Sequence, residues 1–364
     1  MLKVKPDIKF KKEIKKISGS SLNDCIQCGT CSVVCSLAPE ERPFPRKEMI
    51  WAAWGLKDNL IGNMDVWLCH NCGDCSTNCP RGVKPADVIA SVRQINYQHY
   101  ARPYFFAKVV SHIKYLPLAI FIPVFIISLI LFLAGSFSIS DGPVDYSKFF
   151  PHSWLNSNFA MITIIVYTIA GFGMRRFWKD MRSRFPDVKP KMGFLKGFML
   201  ATGELMSHKK FSACDSTRSR KISHFLVFYG FLILFLMTLY AIYAVATKSY
   251  PLDLSNPFKI IGNIGSLMLL LGLCIMIVDR LRDPEKFGKT NYSDWLLLVS
   301  MLLLTISGVL VQFARIENWG IAYSVYFVHL VCVWFVIIYL PYTKFAHMVY
   351  RLLAMTYAQM IARN

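Results

Sequence analysis

Six long stretches of this chain contain no Lys or Arg and, apart from Asp141 and Asp145 near the end of the first, no Asp or Glu. They constrain its fold more than any other feature. Each stretch can supply the roughly 20 apolar residues with which an α-helix crosses the hydrocarbon core of a bilayer. Only 17% of all residues are charged, against about 25% in soluble globular proteins. A soluble fold is therefore excluded, and the sequence predicts six membrane-spanning helices. The stretches comprise residues 115–147, 149–174, 222–247, 260–278, 295–314 and 318–343.

The basic residues predict the orientation of these helices. The formal net charge is +19, which in a soluble protein would suggest nucleic-acid binding. Thirteen of the 41 Lys and Arg residues, however, lie in residues 175–221, between the second and third stretches. The loop between the fourth and fifth stretches adds Arg280, Arg282, Lys286 and Lys289. The loops on the opposite side contain only Lys148, Lys248, Lys259 and Arg315.

The positive-inside rule places the basic loops in the cytoplasm. We therefore expect a multi-pass protein of the cytoplasmic (inner) membrane, with both termini in the cytoplasm and no nucleic-acid partner. Within the longest basic connection, residues 190–211 can form an interfacial helix. A solvated loop is an equally good interpretation of that segment.

Eight of the eleven cysteines form two runs near the N-terminus. Their spacing, C-x2-C-x2-C-x3-C in each run, is that of bacterial two-cluster ferredoxins. In this arrangement the first three thiolates of a run hold one [4Fe-4S] cluster, and the fourth is carried to the other cluster. The sequence thus predicts cluster 1 on Cys25, Cys28, Cys31 and Cys79, and cluster 2 on Cys69, Cys72, Cys75 and Cys35.

Zinc and disulfides are the rival interpretations of these cysteines. Structural zinc sites usually take two pairs of ligands rather than two runs of four. Disulfides are rare in the cytoplasm, and the Lys-rich N-terminus has no apolar core of a signal peptide. Ser36 follows Cys35 where a proline is usual, whereas Pro80 follows Cys79. Iron–sulfur clusters remain the favoured interpretation.

Histidines near the ends of the predicted spans indicate haem. His224 and His347 each lie three residues after a lysine at the cytoplasmic end of a span, so both lie at one membrane depth. Two histidines on different helices at one depth are what bis-imidazole ligation requires. His329 precedes His347 by eighteen residues, which would place both on one helix face about 27 Å apart. A second haem on His329, with His152 as its candidate partner, is an alternative to a single haem, and Pro341 between His329 and His347 could disturb their alignment.

These motifs together resemble a known arrangement. The segments CIQCGTCSVVC and CHNCGDCSTNCP are similar to the iron–sulfur subunit of heterodisulfide reductase. The segments RKISHFLVFYGF and FVHLVCVWFVIIYLPYTKFAHMVYR resemble the haem-bearing helices of the cytochrome b subunits of that system and of respiratory nitrate reductase. Their fusion resembles the membrane subunits of quinone-interacting membrane-bound oxidoreductase complexes. This resemblance implies menaquinone exchange, flavin and iron–sulfur partner subunits in the cytoplasm, and electron delivery to adenylylsulfate reductase.

The expected architecture has two domains. Residues 1–111 would form a small α-helical, two-[4Fe-4S], ferredoxin-like domain, and residues 112–350 an all-α, six-helix transmembrane cytochrome b bundle. Residues 351–364 would be a cytoplasmic tail. The expected function is electron relay between quinone and soluble subunits through one or two haems b and both clusters, with no catalytic residue for other chemistry. The alternatives are the membrane arm of a heterodisulfide-reductase-type complex, and a non-catalytic redox sensor or anchor.

Overall fold

The computed structural model describes residues 5–20, 22–38, 43–135, 142–185, 188–208, 218–247, 251–283 and 290–363. Among the loop residues used above to assign orientation, Lys248, Lys286 and Lys289 lie outside this part of the chain. The architecture is all-helical, with a cysteine-rich ferredoxin-like region followed by long apolar helices. The predicted fold class is therefore confirmed.

The described part of the N-terminal region contains eight α-helices. The side chain of Asp7 caps the first helix, where it accepts a hydrogen bond from the N–H of Phe10 at 2.9 Å. Pro85 begins the longest of these helices, at a position where the missing N–H of proline costs no helical hydrogen bond. In chain order these helices are α1 (Ile8–Ser18), α2 (Thr30–Val33), α3 (Arg46–Ala53), α4 (Lys57–Leu60), α5 (Met64–Leu68), α6 (Asp74–Thr77), α7 (Pro85–Tyr100) and α8 (Tyr104–Val109).

Within the described residues, six helices are long and apolar enough to cross a membrane, as predicted. Several extend beyond the uncharged stretches. Asn291 and Asp294 form a reciprocal capping box at the start of the fifth. The six are α9 (Leu116–Leu133), α11 (His152–Ser183), α13 (Arg218–Ala246), α14 (Pro257–Arg282), α15 (Tyr292–Ile316) and α16 (Ala322–Tyr339). The described chain also contains α10 (Tyr146–Phe149), α12 (Phe194–Ser207) and α17 (His347–Met360).

The third and fourth spans approach each other closely at glycines. A Cβ added to Gly230 of α13 would lie 2.7 Å from the backbone nitrogen of Leu269 on α14. Such contacts between small residues allow helix backbones to pack within a bilayer, where no hydrophobic effect draws helices together. Gly230 therefore fixes the helix that carries His224 against its neighbour.

The last span ends before His347, which corrects one expectation. Helix α16 ends at Tyr339, and two 3₁₀ turns, Leu340–Tyr342 and Lys344–Ala346, follow before α17 begins at His347. The expectation that His329 and His347 share one face of a continuous helix is wrong. The interruption contains Pro341, which has no N–H for a helical hydrogen bond.

Helix α17 joins the membrane domain to the cysteine-rich region. Its Tyr350 stacks on Trp67 of α5 with ring centroids 5.3 Å apart, and Phe177 of α11 packs edge-on against both rings. The three side chains belong to one hydrophobic core that also contains Ile14 and Leu60. The C-terminal part of α11, helix α17 and the cysteine-rich region therefore share a core.

Residues 190–211 include a helix. Helix α12 packs along α17, with Ala201 fully buried, and the amide of Gln359 donates to Glu204 at 3.0 Å. The N–H of Lys191 also donates to the carbonyl of Met360 at 2.7 Å. Of the two interpretations of this segment, the structure therefore has the helix.

Candidate functional site: two cysteine cavities and the histidines beside them

Two cavities in the N-terminal region are each lined by four cysteines. The first is lined by Cys25, Cys28, Cys31 and Cys79. The second is lined by Cys35, Cys69, Cys72 and Cys75. Each cavity thus brings together three cysteines of one run and the last cysteine of the other, which are the two predicted sets.

The same local backbone forms both cavities. Gly29 and Gly73, which follow the second cysteine of each run, have φ angles of 87° and 98°, a region that glycine adopts without strain. Gln27 and Asn71, which precede that cysteine, also have positive φ. The short helices α2 and α6 then begin, and they carry Cys35 and Cys79 across to the opposite cavity.

The donor groups around the cavities fit iron–sulfur clusters. The Gln27 amide donates to Cys25 Sγ at 3.2 Å, and the Asn71 N–H donates to Cys69 Sγ at 3.3 Å. Hydrogen bonds to sulfur are a normal feature of thiolate-held clusters. Burial, and then the nearby thiols of Cys69 and Cys72, raise the pKa of Cys75. A thiol in this position needs a metal cation to hold it as thiolate.

The cavities differ in exposure. Cys28 of the first cavity is exposed, whereas Cys69 of the second is buried. Near the first cavity, Ile26 and Val33 have 61% and 86% of their surface exposed. The first cavity thus has an exposed cysteine, whereas Cys69 of the second is a buried member of the core shared with α17.

Arginines of two histidine-bearing helices contact the loop of the second cavity. Arg351 on α17 donates from Nη1 to the carbonyl of Cys69 at 3.2 Å. Arg220 on α13 donates from Nη1 to the carbonyl of Asn71 at 2.5 Å. Each arginine lies four residues, one helical turn, from His347 or His224. The helices of these two histidines are thus anchored to the same cysteine loop.

His224 has a histidine partner that the sequence did not indicate. Its Nδ1 lies 3.2 Å from Nε2 of His208, and His208 Nδ1 lies 3.0 Å from the carbonyl oxygen of Met206. Because a carbonyl only accepts, His208 donates from Nδ1, so its Nε2 accepts the proton of His224 Nδ1. In this tautomer the lone pair of His224 is on Nε2, the atom that binds haem iron.

His347 has the same tautomer for a similar reason. Its Nδ1 donates to the carbonyl of Lys344 at 2.6 Å. Burial, and then the cation of Lys344, lower its pKa to about 3, with a smaller contribution from His224. The ring is therefore neutral near pH 7, with its lone pair on Nε2.

His329 and His152 lie in different surroundings. His329 Nδ1 lies 3.0 Å from Ser307 Oγ of α15, and a Cβ added to Gly308 would lie 3.1 Å from His329 Cε1. Ser307 donates to the carbonyl of Leu304, so it accepts from His329. His152 begins α11. Hydrogen bonds from Ser147 are the main cause that lowers the pKa of Asp145, and His152 makes a smaller contribution. The described contacts of His329 are thus to α15.

Two family models match the chain. A 4Fe-4S dicluster domain matches residues 21–83, and the family described as Citrate utilization protein B matches residues 110–363. The first of these matches confirms two [4Fe-4S] clusters on the eight-cysteine domain.

Individual relatives agree with both matches. Citrate utilization protein B of Escherichia coli is 24% identical over 350 residues, which cover 90% of this chain and 87% of that protein. A subunit of the H(2):CoB-CoM heterodisulfide,ferredoxin reductase of Methanothermobacter marburgensis is 39% identical over 88 residues, or 24% of this chain and 47% of that protein. A protein of Archaeoglobus profundus that is described as similar to a heterodisulfide reductase subunit is 35% identical over 89 residues, again 24% of this chain and 47% of the relative.

The heterodisulfide reductase relatives thus match over the dicluster domain alone, and the chain spans about half of their length. The expected resemblance to heterodisulfide reductase is confirmed for this domain. No solved structure matches the chain significantly. With a family match that runs from residue 110 to residue 363, this membrane protein with a 4Fe-4S dicluster domain belongs to the Citrate utilization protein B family.

Proposed function

We propose that this chain relays electrons between the quinone pool in the membrane and a soluble oxidoreductase through haem b and two [4Fe-4S] clusters. One observation carries the proposal: the helices of His224 and His347 each place an arginine on the loop of the second cysteine cavity. This contact connects the membrane domain to a cluster without an intervening protein.

The two histidines suit haem b as a pair. Their Nδ1 atoms bond to His208 and to the Lys344 carbonyl, so in both rings the lone pair is on Nε2, the atom through which an imidazole ligates haem iron. When bound, haem b and the clusters each exchange one electron, so the chain can divide the two electrons of a quinol. A second haem at His329, with His152 as the opposite ligand, remains part of the proposal.

The exposure of the two cavities supports an order for the relay. Cluster 2 adjoins the histidine-bearing helices, and its Cys69 is buried. Cluster 1 adjoins exposed Cys28, Ile26 and Val33. Electron transfer to another protein needs a cofactor near the surface. We therefore assign cluster 2 to exchange with the membrane and cluster 1 to exchange with the partner.

The partner and quinone are proposed by resemblance. Similarity to quinone-interacting oxidoreductase complexes favours menaquinone, flavin and iron–sulfur subunits in the cytoplasm, and adenylylsulfate reductase as the acceptor. In this arrangement both termini and the dicluster domain lie on the cytoplasmic side of the inner membrane, as the basic loops predict.

A second candidate partner follows from the relative that matches nearly the whole chain. The name Citrate utilization protein B of the E. coli relative favours an oxidoreductase of citrate utilization as the protein that docks at cluster 1. A heterodisulfide-reductase-type partner is supported only over the dicluster domain, and a redox sensor would not turn over quinone.

Rapid-mixing spectroscopy of the purified chain tests the relay. We expect menaquinol to reduce the haem, and then both clusters, in the chain isolated anaerobically. His224→Ala should abolish the haem signal. The matched control is His99→Ala, at an exposed histidine of α7, and it should react as the unmodified chain does. Absence of haem, or haem reduction that never reaches the clusters, contradicts the proposed relay. Copurification of flavin-containing subunits would favour the relay over a sensor.

A further inference from the structure

Two arginines share one carbonyl oxygen beside the second cysteine cavity. Arg93 of α7 donates from Nη2 to the carbonyl of Cys69 at 2.5 Å and from Nε to the carbonyl of Val66 at 2.7 Å. Arg351 of α17 donates to the same Cys69 oxygen at 3.2 Å. The two guanidinium groups are therefore held side by side, next to a cysteine that lines the cavity of cluster 2.

The positive charges of this pair are unfavourable in the protein alone. Both guanidinium groups are partly buried, and the atom that they share is a neutral carbonyl oxygen, which carries no compensating charge. Cys69, whose carbonyl oxygen accepts from both arginines, also carries one of the sulfur atoms that line the second cavity. Buried charges of like sign persist in proteins when an anion of opposite charge compensates them.

We propose that Arg93 and Arg351 are the counter-charge of cluster 2 and that they stabilise its reduced form. Four thiolates and an iron–sulfur core carry net negative charge, and reduction adds one more electron. The guanidinium groups are already protonated, so the step transfers one electron and no proton. A fixed positive charge in a region of low dielectric favours the more negative state strongly.

Cluster 1 lacks this stabilisation among the described residues. Arg46 and Arg81 line its cavity, but both side chains are exposed. Solvent and salt screen the charge of an exposed side chain. Cluster 2 should therefore have the higher midpoint potential, and an electron from the membrane side would be held at cluster 2 until a partner is present at cluster 1. The retention of the electron at cluster 2 rests on the proposed relay, whereas the difference between the two midpoint potentials does not.

Redox titration of the full chain, followed by EPR with dithionite as reductant, tests the inference. Cys28→Ser and Cys72→Ser identify the signals of clusters 1 and 2. In the unmodified chain we expect the higher midpoint potential for cluster 2, and a potential that varies less with salt concentration than that of cluster 1. A lower midpoint potential for cluster 2 than for cluster 1 overturns the proposal. This comparison does not depend on whether an arginine variant folds.

The variants separate charge from structure. At a fixed potential, Arg351→Gln should lower the ratio of reduced to oxidised cluster 2 by at least about tenfold. This change equals about 59 mV for a one-electron couple. Arg351→Lys keeps the charge and should restore most of this shift, because the effect is electrostatic. Arg46→Gln is the matched control and should leave cluster 2 unchanged. Equal shifts in the Gln and Lys variants would show a structural role and overturn the proposal.

The outcome is independent of haem. If His224→Ala removes the haem but the arginine variants still shift cluster 2, the counter-charge stands whatever the fate of the relay. If menaquinol reduces the clusters through haem but cluster 2 does not respond to Arg351→Gln, the relay stands and the counter-charge is wrong.

Discussion

His208 Nε2 lies 3.2 Å from His224 Nδ1. Only 5% of the surface of His208 is exposed. Its other ring nitrogen bonds to the Met206 carbonyl, which also accepts the Tyr229 hydroxyl at 2.7 Å. A backbone carbonyl thereby orients two histidine rings in succession, and the second is a candidate haem ligand.

Replacing His208 tests this orientation. A hydrogen bond accepted from Nδ1 makes an imidazole ligand a stronger electron donor and favours ferric haem. His208→Phe should therefore raise the midpoint potential of the haem that His224 binds, and it should lower haem occupancy. His208→Gln retains a hydrogen-bond acceptor, so its haem potential and haem occupancy should lie between those of the unmodified chain and of His208→Phe. The α-band followed during redox titration gives the potential, and pyridine haemochrome gives the occupancy; unchanged values for His208→Phe would show that the contact does not affect the haem.

The ligand pair itself predicts a loss of the low-spin spectrum. His224→Ala and His347→Ala should each abolish the α-band of the cytoplasmic-side haem, because bis-imidazole ligation needs both rings. His329→Ala should leave that band in place and remove signal only if a second haem is bound there. Haem quantification before and after each replacement distinguishes one haem from two. A normal α-band in His347→Ala would contradict its assignment as a ligand.

The sequence was most informative where function depends on local spacing. Cysteines two or three residues apart must line one loop, and charge-free runs of about 20 residues must form spans, so the fold class and the six helices followed directly. The ends of the spans were less predictable, since α11 continues past Arg175 and Arg176 to Ser183 as it enters the core of the dicluster domain.

Contacts between distant segments left no periodic signal. Nothing in the sequence spacing indicates that His208 contacts His224. A connection separates the two histidines, and its residues 209–217 lie outside the described chain. The hydrophobic pattern also continues across Pro341, although the helix does not. Arg93 and Arg351, far apart in the sequence, converge on Cys69 only in the fold.

The crossed cysteine sets predict which cluster each replacement removes. Cys79 belongs to the second run but lines the first cavity, so Cys79→Ser should disrupt cluster 1 and spare cluster 2. Cys35→Ser should have the opposite effect. The unmodified chain should contain about eight non-haem irons and about eight acid-labile sulfides, as two cubanes require. Cys274→Ser, at an exposed cysteine of α14, is the control and should keep the full iron content.

EPR of the reduced variants reads this prediction directly. If Cys79→Ser lost the same signal as Cys72→Ser, each run would hold its own cluster, and the crossed arrangement would be wrong.

The last turn of the chain predicts a stability effect on the dicluster domain. Arg363 and Lys47 both form ion pairs with Asp65, which is 2% exposed, at the N-terminal end of α5. Removing one partner of a buried ion pair typically costs about 3–5 kcal/mol, because the other charge remains buried. Asp65→Ala leaves two cations without this carboxylate and should lower the temperature at which the clusters lose their visible absorbance. Asp58→Ala, at an exposed carboxylate of α4, should leave that temperature unchanged. Because Asp65 lies four residues before Cys69, cluster 2 should be lost first, and simultaneous loss of both clusters would show instead that the whole domain unfolds as one unit.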